Sequence, residues 1–244
     1  MRLINSNAEY LDNLNQKVIE CTLCPRLVDY RQEISRKKRR MYINQDYWGL
    51  PLPSYGDPEA DILIIGLAPA AHGGNRTGRM FTGDKSGDWL FETLYKFGFA
   101  NSPSSIHRND GLILKQAYIT ATIRCAPPYN KPLQQERINC LPYLLSEIEA
   151  LSSVRVVVAL GRVAFDSYLA ARREMGLCLP RPKPRFSHGA TYNLPDGIFL
   201  IASYHPSQQN TQTRKLTRNM FEGVFSTVRH FVNANDKSDP SWPP

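Results

Sequence analysis

An α/β fold, three layers deep with a central four-stranded parallel sheet between helices, is what this chain predicts. Two observations carry the expectation. Four short runs rich in Ile and Val, at 61–65, 117–122, 154–160 and 198–203, are bounded by turn residues and barely alternate, as strands buried on both faces do. Segments with apolar residues at helical spacing lie between them, and that alternation along a chain is the order of a parallel sheet covered on both sides.

Ahead of the first strand, residues 8–20 read as a helix, and "YWGLPLPSYGDP" reads as an irregular connection rich in Pro and Gly. Trp89, Leu90, Leu94 and Phe97 mark one helix face after the first strand; Ile138, Leu141, Leu145 and Ile148 mark the next; Val163, Phe165 and Leu169 the third. A closing helix over 213–232 sets Leu216, Met220, Phe221, Val224, Phe225 and Val228 inward. Residues 1–232 form one domain on this reading, and 233–244, "NANDKSDPSWPP", a disordered tail. The segment "PRPKPRFSHG" is a proline-rich basic loop inside the domain.

Thirty Lys and Arg against 22 Asp and Glu give a net charge of +8, which favours a polyanionic partner such as nucleic acid and equally suits a plain basic surface. The run "SRKKRR" is the densest cluster, and it also reads as a solvated loop. The longest apolar runs fall short of a spanning helix, and the N-terminus lacks a signal peptide's apolar core. A soluble, cytoplasmic protein is expected.

In sheets of this kind the ligand crevice lies outside the carboxyl ends of the strands. The stretches that would meet there are "GLAPAAHGG", "IRCAPPYNKP", "GRVAF" and "YHPSQQN". The first continues into "GLAPAAHGGNRTGRMFTGDKSG", six glycines in 22 residues, and raises the question of a phosphate loop. A P-loop needs G-x-x-x-x-G-K-[ST]. Counted from Gly73, Arg79 and Met80 replace the Lys and the hydroxyl; counted from Gly78, Asp84 is inserted before the Lys. A G-x-G-x-x-G fingerprint is absent too. The loop instead offers small residues for close approach (Gly66, Ala68), an aromatic face (Phe81) and a carboxylate (Asp84), a set suited to a planar base. Asp84 in "TGDKSG" also reads as a helix cap.

Five cysteines stand at 21, 24, 125, 140 and 178. Cys21 and Cys24 form a C-x-x-C pair; Cys125 follows the second strand and Cys140 lies on the next helix. If the N-terminal helix packs beside that crossover, four thiolates meet, which would suit either zinc or a 4Fe-4S cluster. Buried small hydrophobes are the other reading of Cys125 and Cys140.

The quoted loop, with "RCAPPYNKP", "HPSQQN" and four cysteines so spaced, resembles the uracil-DNA glycosylase superfamily, specifically the type B (family 5) enzymes of archaea and bacteria. The resemblance runs from about Cys21 to the closing helix. It implies a structural 4Fe-4S cluster on Cys21, Cys24, Cys125 and Cys140. It further implies a monofunctional DNA-repair glycosylase, a hydrolase of N-glycosyl bonds in base excision repair. Such an enzyme flips uracil, and also hypoxanthine, xanthine or ethenocytosine, out of double-stranded DNA and leaves an abasic site. His205 would donate to a base oxygen, Asn130 would read a base edge and Phe81 would stack on the ring. The polar group that other branches carry in the first motif is replaced here by Leu67 and Ala68, so Asp84 is the expected water-positioning group. Ser207, Arg214 and Lys215 would meet DNA, with Leu216 either a wedge or a core residue. The enzyme is expected to act as a monomer at the nucleoid. The rival readings are a P-loop-like nucleotide hydrolase and a non-catalytic DNA-binding module with structural zinc.

Overall fold

The computed structural model describes residues 7–233. Helix α1 (Asn7–Ile19) is followed by α2 (Pro25–Lys37), a 3-10 turn at Arg40–Tyr42, and strands β1 (Tyr55–Gly56) and β2 (Ile62–Gly66). Next come α3 (Gly74–Thr77), α4 (Lys85–Lys96), β3 (Ala117–Ala121) and a 3-10 turn at Pro128–Asn130. The second half runs α5 (Gln134–Ala150), β4 (Val156–Leu160), α6 (Arg162–Glu174), β5 (Thr191–Asn193), β6 (Phe199–Ser203), α7 (Gln208–Gln212) and α8 (Arg218–Asn233).

The sheet has six strands in the order β1-β3-β2-β4-β6-β5, which corrects the expected four-stranded, purely parallel sheet. The four strands legible in the sequence form its parallel centre, with Ile64 level with Ile119 on one side and Val158 on the other. β1 and β5 pair antiparallel along the two edges. Two or three residues long and half exposed, they are too short to show a periodicity.

Period-two alternation explains the layers. Ile62, Ile64, Ile119, Val156, Val158 and Ile201 face a core shared with α4 and α8, through Leu90, Leu94, Phe221 and Phe225. Leu63, Ile65, Tyr118, Val157 and Leu200 face the opposite core, shared with Leu11 of α1, Leu144 of α5 and Phe165 of α6. The three-layer expectation is met.

Two helices differ from their sequence reading. α8 begins at Arg218, later than expected, because 213–217 bends back with the Leu216 N–H on the Asn210 carbonyl. Leu216 is fully buried in the core, while Met220 is exposed. On α5, Ile138 is exposed and Glu147 is fully buried, because Glu147 Oε2 accepts from Arg124 Nη2 at 2.6 Å and from the Thr120 hydroxyl at 2.6 Å. A buried charge persists only when paired in this way. Of the expected tail, only Asn233 falls among the described residues, where it closes α8; 234–244 lie outside them. Among the described residues no helix is long and apolar enough to cross a membrane.

Candidate active site

A cavity of about 430 Å³ opens at the carboxyl edge of the sheet, where Gly66 ends β2, Ala121 ends β3 and His205 follows β6. Gly66, Ala68, Phe81, Asp84, Asn130, His205 and Ser207 all line it, so seven of the sequence-derived site residues converge on one space. A larger groove of about 890 Å³ adjoins it and shares Asp84, Asn130 and Ser207 with it. Arg214 and Lys215 stand outside both, exposed beyond α7.

The first wall is the loop from β2 to α4. Phe81 sits in it at φ 52, a conformation that a bulky residue adopts only when its surroundings enforce it. Its ring closes so tightly on the strand end that a Cβ at Gly66 would lie 2.8 Å from Cζ. The smallness of Gly66 therefore makes room for the Phe81 ring. Phe81 stacks against His205, centroids 5.8 Å apart and planes 26° apart, and both residues line the cavity.

Asp84 is the N-cap of α4: its Oδ1 accepts from the Gly87 N–H at 3.0 Å. The other oxygen, Oδ2, is packed where a Cβ on Gly73 would come within 2.2 Å, so only glycine at 73 lets the carboxylate stand at the cavity wall. Burial pushes the Asp84 carboxyl above its ordinary range, and the Gly87 and Ser86 N–H groups pull it partly back. Capping and lining the cavity are thus compatible roles of one side chain.

Arg79, which stands where a P-loop would have its Lys, points away from this space. It is buried, with Nη2 on Asp110 Oδ2 at 2.7 Å and on Ser105 Oγ at 2.8 Å, and Nε on Thr82 Oγ1 at 3.0 Å. Burial opposes the charge on Asp110, yet Arg79 and the N–H groups of Ile106 and Leu112 hold its carboxyl well below the ordinary range. The nucleotide-hydrolase reading loses its key cation.

His205 follows β6, and its carbonyl accepts from Asn210 Nδ2 at 2.9 Å. Burial pushes its imidazole down to about 4, so the ring is neutral at physiological pH, with one N–H donor and one acceptor nitrogen. Ser207 caps α7 by accepting from the Asn210 N–H at 3.4 Å. Asn130, on a second stretch of the lining, is exposed at φ 57, a conformation Asn tolerates. Its neighbour Tyr129, which the sequence pattern does not single out, is 89 % exposed at φ 55 and lines both the cavity and the groove. A Tyr between two prolines and the site Asn in "PPYNKP" was the available signal. "SRKKRR" forms the last turn of α2 and its exit, not a free loop, with Lys37 paired to Glu33 and Arg39 on the wall of the groove.

The cysteines do not fit the expected cluster. Cys125 and Cys140 are buried in a small apolar core with Leu27 and Ile123, against which Cys24 packs. Burial pushes the two thiols up to about 12 and about 11, whereas a metal or cluster binds thiolates. Cys21, though near enough to act on the charge of Cys125, makes its side-chain hydrogen bond with Tyr143, and Cys24 Sγ accepts from Asn139 Nδ2 at 3.4 Å. Among the described residues, no group of three or more His, Cys, Asp or Glu is arranged to hold a metal ion. The 4Fe-4S expectation on Cys21, Cys24, Cys125 and Cys140 is corrected on that finding, and with it the iron-sulfur and metal-binding description; the cysteines are free thiols in this structure. The structural-zinc alternative is corrected with it.

The site is thus an edge cavity lined by two neighbouring rings, a carboxylate and a carboxamide. Residues 53–229 match the model of the uracil DNA glycosylase superfamily, and the chain belongs to that family. It is 49% identical over 217 residues to the type-5 uracil-DNA glycosylase of Thermus thermophilus, covering 89% of this chain and 96% of that protein. The type-5 enzyme of Mycobacterium leprae is 47% identical over 228 residues, covering 93% and 98%. A type-4 uracil-DNA glycosylase of Pyrobaculum aerophilum is more distant, at 26% over 198 residues, covering 81% and 83%.

Proposed function

We propose that this chain excises uracil from double-stranded DNA, and also accepts hypoxanthine, xanthine or ethenocytosine, by hydrolysing the N-glycosidic bond of a flipped nucleotide. The observation that carries the reading is the convergence of Phe81, Asp84, Asn130 and His205 on one cavity in a chain of the uracil-DNA glycosylase family. A base inside a duplex cannot be reached, so the nucleotide must leave the stack at a cost of about a few kcal/mol, least at a mispair.

In the cavity the base lies on the Phe81 ring. Asn130 offers an amide donor and an acceptor to its edge. As the bond between C1′ and the base nitrogen breaks, its electron pair leaves with the base, and the neutral His205 donates an N–H to the oxygen where that charge gathers. The neutral imidazole makes this hydrogen bond through its one N–H and keeps that proton as the base leaves as an anion. Asp84 orients a water toward C1′ and takes its proton as the C–O bond forms, leaving an abasic sugar and the free base. Its raised pKa fits a group that must accept that proton. Ser207 meets the backbone of the flipped strand, and Arg214 and Lys215 contact phosphates beyond it. We infer further that one domain, 1–232, carries this activity as a monomer on chromosomal DNA in the cytoplasm.

The test is incubation with end-labelled duplex DNA bearing one U·G pair, followed by alkali. Strand scission at the uracil is expected. An intact strand, with DNA binding retained, would overturn the reading.

A further inference from the structure

The proline-rich basic loop takes no part in the cavity, yet it is fastened to the segment that carries His205. Tyr204, the residue before His205, donates its N–H to His188 Nδ1 at 3.0 Å and stacks on that ring, centroids 5.0 Å apart and planes 21° apart. Phe186 packs on Tyr204 at 6.1 Å and on Phe165 at 5.7 Å. Tyr192 clasps the loop's backbone, accepting the Arg185 N–H at 3.1 Å and donating to its carbonyl. Within 180–185, Pro184 is buried while Arg181, Lys183 and Arg185 are exposed, and among the described residues none of the three side chains has an ion-pair partner. Two more exposed cations flank the loop: Arg162 over the Phe186 ring at 5.7 Å and Lys215 over the Tyr204 ring at 5.0 Å. Five exposed cations therefore lie on this loop or over the aromatic stack that joins it to the segment carrying His205.

We propose that the 180–185 loop, with Arg162, is a second DNA-backbone arm that extends the Arg214 and Lys215 contacts and holds duplex phosphates away from the flipped nucleotide. The proposal rests on the reading of the cavity as a base pocket. Charge selects a polyanion, and continuity with the cavity through Tyr204 and His205 selects the DNA being repaired. Three prolines in six residues restrict the loop before DNA arrives, so ordering it on binding costs little. Contacts of this kind set register and orientation and carry no base preference.

The experiment measures Kd against salt concentration, using a fluorescein-labelled duplex with one tetrahydrofuran abasic-site analogue. The parent is compared with the triple variant Arg181→Gln, Lys183→Gln, Arg185→Gln and with the control Lys17→Gln, Arg173→Gln, whose charges lie on α1 and at the end of α6. The slope of log Kd against log salt is expected to fall by about 0.9 for each phosphate left unneutralised, up to about 2.7 in the triple variant, and to stay unchanged in the control. Single-turnover uracil excision at saturating enzyme should match the parent in both. An unchanged slope in the triple variant, or an equal fall in the control, would overturn the proposal. Absence of excision in the parent would instead sink the base-pocket reading, and the slope would still report on the arm.

Discussion

The two walls of the cavity are built on opposite plans. The 66–87 wall is cross-braced by side chains: Arg76 donates to the carbonyls of His72 and Gly83 at 2.8 and 2.9 Å, Thr77 Oγ1 to the Gly73 carbonyl at 3.2 Å, and Arg79 to Asp110. The 127–131 wall is one exposed turn, held by the Asn130 and Lys131 N–H groups on the carbonyls of Pro127 and Pro128 and by Arg26 on the Lys131 carbonyl at 3.3 Å. Fixed geometry is what water positioning and ring stacking require, because misplacement of a reacting group costs rate steeply. An exposed turn with so few cross-braces can shift more readily than the braced wall.

Asp84 is where the braced wall carries its largest expected effect. Asn caps a helix as well as Asp does, so Asp84→Asn should leave stability within about 0.5 kcal/mol while lowering single-turnover excision about 10²- to 10⁴-fold. Unchanged activity would reduce Asp84 to a cap.

His205 gives the next effect. Its folded pKa of about 4 lies below the ordinary ~6.5 of an unfolded His, so the unfolded chain takes up the proton first as the pH falls. The stabilisation from keeping this ring neutral is complete above pH ~6.5 and is lost toward about 4. The lost stability amounts to up to about 2 kcal/mol after allowing for solvent at the half-buried ring. Denaturant titrations across that window should show a shallower decline for His205→Gln, and parallel curves would contradict the assignment.

On the open wall the effect is small and of opposite sign. Tyr129→Gly removes a left-handed Tyr and should raise stability by about 0.5–1 kcal/mol while weakening affinity for DNA. A loss of stability would mean that the turn is held more firmly than its hydrogen bonds indicate.

What the sequence disclosed follows the same division. The parallel strands were legible because burial on both faces leaves Ile and Val runs, and the closed wall because its glycines and "TGD" stand in one continuous stretch. Side chains whose meaning depends on distant partners were not: Glu147 on the inner face of α5 needs Arg124, and the burial of Arg79 needs Asp110, 31 residues on. The edge strands were missed because they are too short for a pattern, and Tyr129 because neither its exposure nor its backbone strain has a periodicity. Cys125 and Cys140 carried metal-like spacing into what is a small apolar core.

Amide hydrogen exchange, with and without a duplex carrying the abasic-site analogue, tests the contrast between the walls most directly. Amides of 74–88 should be protected in the free protein and change little on DNA, while those of 129–131 should exchange rapidly when free and slow on binding. Rapid exchange across 74–88 that is suppressed only by DNA would contradict the account, because the wall credited with fixed geometry would then be assembled by the substrate.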